Sequence, residues 1–186
     1  MGKLNDHQEN LVQGTIEIRE TASSETAEVL ALYPLAFPDE ELRPVVTQLL
    51  ELGDGVLSLA AFKANALVGY IIFTDCATTE GNADGALLAP LGVLPSHQNA
   101  GIGSMLVQEG FKRLEARGIN QVFVLGDPAY YSRFGFEAER AVSPPYPMPE
   151  EWADAWQSVT LAGRQPLESG QLKLPEPWMD PVLWGP

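Results

Sequence analysis

Residues 87–104 read Leu-Leu-Ala-Pro-Leu-Gly-Val-Leu-Pro-Ser-His-Gln-Asn-Ala-Gly-Ile-Gly-Ser, and no other stretch restricts the fold so tightly. An apolar run gives way to a short polar turn, and the turn to the glycine-rich start of a helix. The first backbone N–H groups of such a helix have no internal acceptor and lie at the positive end of its dipole. A phosphate placed there is held by main chain alone. Gly101 and Gly103 leave out the Cβ atoms that would keep a ligand away. The competing explanation is an ordinary strand-to-helix turn with two convenient glycines, and Gly-x-Gly alone does not decide between them.

The apolar run itself, residues 85–94, predicts a strand covered on both faces. Pro90 inside it argues for a bulge or a locally unpaired position, which leaves backbone groups free to bind something else. The helix that follows, from about 101 to 117, puts Gly103, Leu106, Val107, Gly110, Phe111 and Leu114 on one face, with Gly118 as its stop. Lys112, Arg113 and Arg117 sit near its C-terminus, where a solvated basic end that favours the dipole explains them before a nucleotide contact does.

Upstream, residues 1–14 form a polar stretch expected to be a flexible arm. Residues 15–19 alternate as a short strand. A helix is expected over 27–35, stopped by Pro34 and Pro38. Leu42, Val45, Val46, Leu49 and Leu50 mark one face of a second helix, with Pro44 fitting only its first turn. Residues 56–63 and 67–74 make a hairpin about Ala64-Asn65-Ala66, and 75–85 reads as a polar loop. Downstream, 121–125 is another buried strand. Gly126-Asp127-Pro128 caps a short helix that ends at Gly135, and 136–139 returns as a strand. From Ser143 the composition changes: nine prolines with Trp152, Trp156, Trp178 and Trp184 suggest an irregular segment packed on the body, with 157–162 as a last strand. The chain therefore divides into the arm 1–14, a domain over 15–142 and the Pro/Trp-rich segment 143–186.

At 186 residues with 45% hydrophobic residues the chain is long enough for one domain with a real core. It has no apolar run of membrane-spanning length and no signal-peptide core. A single cysteine, Cys76, placed at a strand end or loop, excludes an internal disulfide framework and suits a reducing, cytoplasmic setting. It reads as a bystander thiol. A net charge of −14 without a basic block argues against nucleic acid. The acidic surface aids solubility and could attract cationic amines.

The order of elements, with Gln98-x-x-Gly101-x-Gly103 after the long strand and Leu-Gly-Asp-Pro-Ala-Tyr-Tyr-Ser-Arg-Phe-Gly-Phe at 125–136, resembles the GCN5-related N-acetyltransferases (GNAT), and among them the YhbS-type. The resemblance covers roughly residues 15–139. It implies an α/β fold of the α+β type: a mixed, mostly antiparallel sheet flanked by helices on both faces, whose two central strands splay into a V. It implies acetyl-CoA as co-substrate, no metal, and a small-molecule or peptide amine as acceptor. Leu91, Gly92 and Val93 would pair with the pantetheine arm like an added strand. The main chain of Gln98, Asn99, Ala100, Gly101, Ile102, Gly103 and Ser104 would take the pyrophosphate, which agrees with the independent reading of the loop.

Acetyl transfer then needs a donor for the tetrahedral oxyanion, such as a backbone N–H near Val93. It also needs an acid for the leaving thiolate. Tyr131 matches the family's tyrosine in that role, since a phenol with pKa about 10 can donate at neutral pH. The alternatives are an ordinary core tyrosine there, with Tyr130 the active neighbour or neither. No Glu or Asp lies between residues 85 and 94 to act as general base. Candidates are Asp75, Glu80, Glu40 and Asp127, or a water relay; Asp127 reads better as a helix cap and His97 as an exposed turn residue.

A dinucleotide-binding unit is the first rival, but Leu106 stands where the third glycine of Gly-x-Gly-x-x-Gly would be. A non-catalytic acyl-CoA-binding module on the same fold is the second, kept open by the missing strand carboxylate. The Trp-rich segment could act as a lid or a homodimer contact, with core packing as the plainer role.

Overall fold

A computed structural model of the chain describes residues 14–78 and 82–185. The expected arm 1–14 lies, apart from Gly14, outside the described residues. Strand β1 (Ile16–Glu20) leads through a helical turn into α1 (Thr26–Ala36) and α2 (Arg43–Leu52). Next come β2 (Val56–Lys63), β3 (Ala66–Thr78) and β4 (Gly85–Val93), then α3 (Ile102–Ala116) and β5 (Gln121–Leu125). The short α4 (Pro128–Tyr131), β6 (Glu137–Ala138), β7 (Val142–Ser143), β8 (Trp156–Thr160) and β9 (Gly170–Lys173) complete the order.

The sheet runs β1-β2-β3-β4-β5-β8-β6, and along this order every pair is antiparallel except β4–β5; off it, β9 pairs antiparallel with β3 and parallel with β7. The hairpin closes on Ala64 and Asn65, both at positive φ (49° and 64°), the handedness a two-residue turn needs to match strand twist. Side chains alternate between two cores. Val29, Leu32 and Tyr33 of α1 and Val45, Val46 and Leu49 of α2 pack with Tyr70, Ile72 and Phe123 on one face. Ile102, Leu106, Val107 and Leu114 of α3 pack with Ile71, Phe73 and Leu88 on the other. Gly110 lets α3 lie close to the sheet: a Cβ there would fall 2.2 Å from Phe73 Cε2.

Several expectations give way. Helix α1 does not stop at Pro34 but runs on to Ala36. The proline sits exposed in the last turns, so the carbonyl it leaves unbonded is on the solvent side. Pro44 falls in the first turn of α2, as its missing N–H requires. The polar loop expected from residue 75 begins as strand: β3 continues to Thr78, where Ala77 and Thr78 pair with Lys173 and Leu172 of β9. Cys76 is accordingly buried within β3, and burial pushes its thiol far above the ordinary range. A buried thiol held in its protonated form is a poor nucleophile, in keeping with a bystander role.

The segment from residue 143 is not wholly irregular. Its strand β8 lies between β5 and β6, in antiparallel register with β5 from Gln121↔Thr160 to Leu125↔Trp156. It is not the last strand, since β9 follows. Three tryptophans close the α1–α2 core with every indole N–H bonded: Trp156 to the Val142 carbonyl, Trp178 to Thr74 Oγ1, Trp184 to the Trp178 carbonyl. No described helix is long and apolar enough to cross a membrane.

Candidate active site

The parallel pairing of β4 with β5 covers only Gly85↔Gln121, Ala86↔Val122 and Leu87↔Phe123. Beyond Leu87 the two strands part. The cause is in β4: Ala89 and Pro90 both face Ile72 across the β3 pair, between Phe73↔Leu88 and Ile71↔Leu91. That is the bulge Pro90 foretold, and it turns the outer half of β4 away from β5. Leu94 donates its N–H to the Val68 carbonyl of β3. Antiparallel alternation then aims the main chain of Gly92 at β3 and that of Leu91 and Val93 into the open V. The Val93 carbonyl takes a hydrogen bond from Gln98 Nε2 there, at 3.1 Å.

Helix α3 starts at the mouth of this V. Its first internal bond runs from Met105 N–H to the Gly101 carbonyl, so the N–H groups of Ile102, Gly103 and Ser104 have no acceptor within the helix. The two glycines serve different ends. Gly101 stands at φ +80° with open space about it, so its role is conformational. Gly103 makes room for a neighbour: a Cβ there would fall 2.4 Å from the Tyr130 hydroxyl oxygen.

Tyr130 and Tyr131 come from α4, whose start is fixed by Asp127, its Oδ1 accepting the Ala129 N–H at 2.9 Å. Tyr131 packs its ring on Gly126, where a Cβ would fall 2.4 Å away, and edge-on to Phe136. Burial, with Tyr130 beside it, pushes the Tyr131 phenol well above the usual tyrosine range. It therefore carries its proton at neutral pH. Tyr130 is raised more gently, burial being opposed by the nearby Arg133 guanidinium. Arg133 lies over the Tyr130 ring at 4.6 Å and donates Nε–H to the Tyr130 carbonyl.

Together these elements enclose a cleft of about 400 Å³. Leu91, Val93, Gln98, Asn99, Gly101, Ile102, Gly103, Ser104, Tyr130 and Tyr131 line it. The Acetyltransferase (GNAT) family model matches residues 26–136 of the chain. The chain belongs to the GNAT family. YjhQ of Escherichia coli K12, an uncharacterised N-acetyltransferase, is 34% identical over 165 residues, covering 84% of this chain and 91% of YjhQ. The crystal structure of Escherichia coli YhbS in complex with CoA superposes with a TM-score of 0.78 at 27% identity, over 89% of this chain and 92% of YhbS. A GNAT acetyltransferase from Brucella melitensis, solved with acetyl-CoA, has the same fold with a TM-score of 0.71 at 24% identity, covering 88% of this chain and 97% of the other. This GNAT chain is thus an acyltransferase of the N-acetyltransferase type.

Not every expected residue of this GNAT site reaches the cleft. Gly92 faces α1, where a Cβ would meet Leu32 Cδ2 at 2.8 Å, and Ala100 is exposed outside the lining. Among the base candidates, Asp75 is paired with Arg117 at 2.6 Å beside the first residues of β4, away from the V. Glu40 is exposed in the turn after α1, and Glu80 lies outside the described residues. Asp127 lines the cleft but spends one oxygen on its cap. His97 is half-buried and lines the cleft, its Nδ1 2.9 Å from Ser96 Oγ; it is not the open turn residue expected. Arg133 was not singled out by the sequence. Its signal was available: a lone cation inside the tyrosine motif of a strongly acidic chain. Among the described residues no group of three or more His, Cys, Asp or Glu side chains could hold a metal ion.

Proposed function

We propose that this GNAT enzyme binds acetyl-CoA in the V and transfers its acetyl group to a primary amine by direct attack within a ternary complex. The observation that carries this is the coincidence of three features at one cleft: an unpaired strand edge, a helix N-terminus with free N–H groups, and a proton-bearing phenol. The relatives solved with CoA and acetyl-CoA support the same ligand.

In this reading the outward main chain of Leu91 and Val93 holds the pantetheine arm, and the N–H groups over 98–104 hold the pyrophosphate. The amine nitrogen attacks the thioester carbonyl, and a main-chain N–H near Val93 stabilises the resulting oxyanion. When the carbon–sulfur bond breaks, Tyr131 donates its hydroxyl proton to the thiolate. Asp127 is the one carboxylate lining the cleft among the described residues, and it is engaged as a cap. The amine therefore loses its proton to water rather than to a strand carboxylate.

Calorimetric titration of the purified protein with acetyl-CoA, with NAD and ATP as controls, tests the ligand. Saturable binding of acetyl-CoA alone, followed by amine-dependent thiol release, is the expected result. Absence of acetyl-CoA binding by folded protein would refute it.

A further inference from the structure

We propose that Arg133 reads the 3′-phosphate of coenzyme A, so that the enzyme selects CoA thioesters over their 3′-dephospho counterparts; this rests on the coenzyme A reading of the cleft. The argument begins with charge. In a chain of net charge −14, cations find carboxylates easily. Arg19, Arg43, Arg113, Arg117 and Arg140 each do so, and Arg164 sits on the Glu115 carbonyl. Arg133 has no carboxylate partner among the described residues. Asp127 lines the same cleft yet makes no ion pair with it.

Arg133 is nonetheless held in place. Its Nε–H donates to the Tyr130 carbonyl at 2.8 Å and its guanidinium stacks 4.6 Å from the Tyr130 ring centroid. Both terminal nitrogens remain without a partner among the described residues, so four N–H donors are oriented before any ligand arrives. A fork fixed in this way suits a phosphate, which it can meet with two parallel bonds.

Position then selects which phosphate. The part of the cleft at Leu91, Val93 and the half-buried Tyr131 suits the thioester arm. The pyrophosphate already has the main-chain donors at the start of α3. Arg133 is exposed and lines the same cleft as that helix start, held on Tyr130, whose hydroxyl borders Gly103. The remaining anion of coenzyme A is the 3′-phosphomonoester of its adenosine, a dianion on the outward part of the molecule. Dephospho-CoA shares everything else, so it isolates the contact.

The experiment is calorimetric titration of the wild-type protein and of Arg133→Gln with CoA and with 3′-dephospho-CoA. The wild type should prefer CoA by about tenfold or more, the range of a charge-assisted contact, and the preference should shrink as salt rises. Arg133→Gln should bring the two ligands to within about twofold by weakening CoA while sparing dephospho-CoA. Arg133→Lys, which keeps the charge without the fork, should retain part of the preference. A wild type that binds both ligands alike overturns the proposal, and that result needs no variant. So does an Arg133→Gln protein that loses affinity for both by the same factor. A wild type that binds neither ligand would instead remove the coenzyme A reading itself.

Discussion

Gly103→Ala tests how the cleft wall is built. The new Cβ would fall 2.4 Å from the Tyr130 hydroxyl oxygen, far inside van der Waals contact. The phenol cannot simply swing aside. Its ring is packed against Tyr131 at 5.0 Å, Phe134 at 5.6 Å and the Arg133 guanidinium. Forcing a methyl into a packed site costs about 1–3 kcal/mol. Replacing glycine by alanine in a helix returns up to about 1 kcal/mol. The net loss should be about 1–2 kcal/mol. In a Tyr130→Phe background the offending oxygen is gone, and the next ring atom, Cζ, stands at 3.6 Å, an ordinary contact. There Gly103→Ala should be neutral or slightly stabilising, giving a coupling of about 2 kcal/mol between the two positions. Urea unfolding of the four proteins of the cycle, with unchanged m-values, measures it. Equal cost of Gly103→Ala in both backgrounds would refute the reasoning, because the glycine would then be required for its backbone alone.

Gly101→Ala should behave differently: about 1–2 kcal/mol lost to left-handed strain, with no coupling to Tyr130 in the same unfolding assay. Tyr131→Phe should lower kcat by about 100-fold while leaving acetyl-CoA affinity intact; an unchanged kcat in thiol-release kinetics would move the acid role elsewhere. The buried Glu139 carboxylate accepts from Gln121 Nε2, Ser158 Oγ and the N–H groups of Ala141 and Val142. Glu139→Ala leaves these donors unmet and should cost about 3 kcal/mol in chemical denaturation, and a loss near zero would mean that water replaces the carboxylate. Arg19 hydrogen bonding, helped by the Ala22 N–H, holds the Glu25 carboxyl at about 2. A folded value below the unfolded one, about 4.3, means the contribution is present above that pH and is lost as pH falls towards 2. The stability gap between wild type and Glu25→Gln should therefore close on acidification through that window, and a pH-independent gap would contradict it.

What could be read from the sequence was local. The strand, bulge, glycine turn and helix of residues 85–117 are coded by near neighbours: Pro90 breaks a register, Gly101 supplies a positive φ, and Gly110 meets Phe73. The Asp127 cap is equally local. The outer half of β3 was hidden because Asp75 and Thr78 look like loop residues; pairing of Asp75 with Ala86 of β4, and of Thr78 with Leu172 of the distant β9, makes them strand. Strand β8 was recognised as a strand but not as one lying between β5 and β6, since alternation tells a strand's face and not its neighbour. Within the site, the loop was legible and the packing of Tyr130 over Gly103 was not. The missing Cβ at residue 103 looked like space kept for a ligand, whereas the tyrosine hydroxyl already borders it.

The place of β8 has a consequence for biosynthesis. A ribosome delivers β5 some thirty residues before the strand that flanks it. Until residues 156–160 have emerged, the nascent chain presents the edge of a very apolar strand, with Val122, Phe123 and Val124 ready to pair with whatever is near. Translational stalling or proteolytic cutting within residues 143–155 would leave that edge exposed. Such fragments are expected to become chaperone clients or insoluble aggregates rather than a smaller working enzyme.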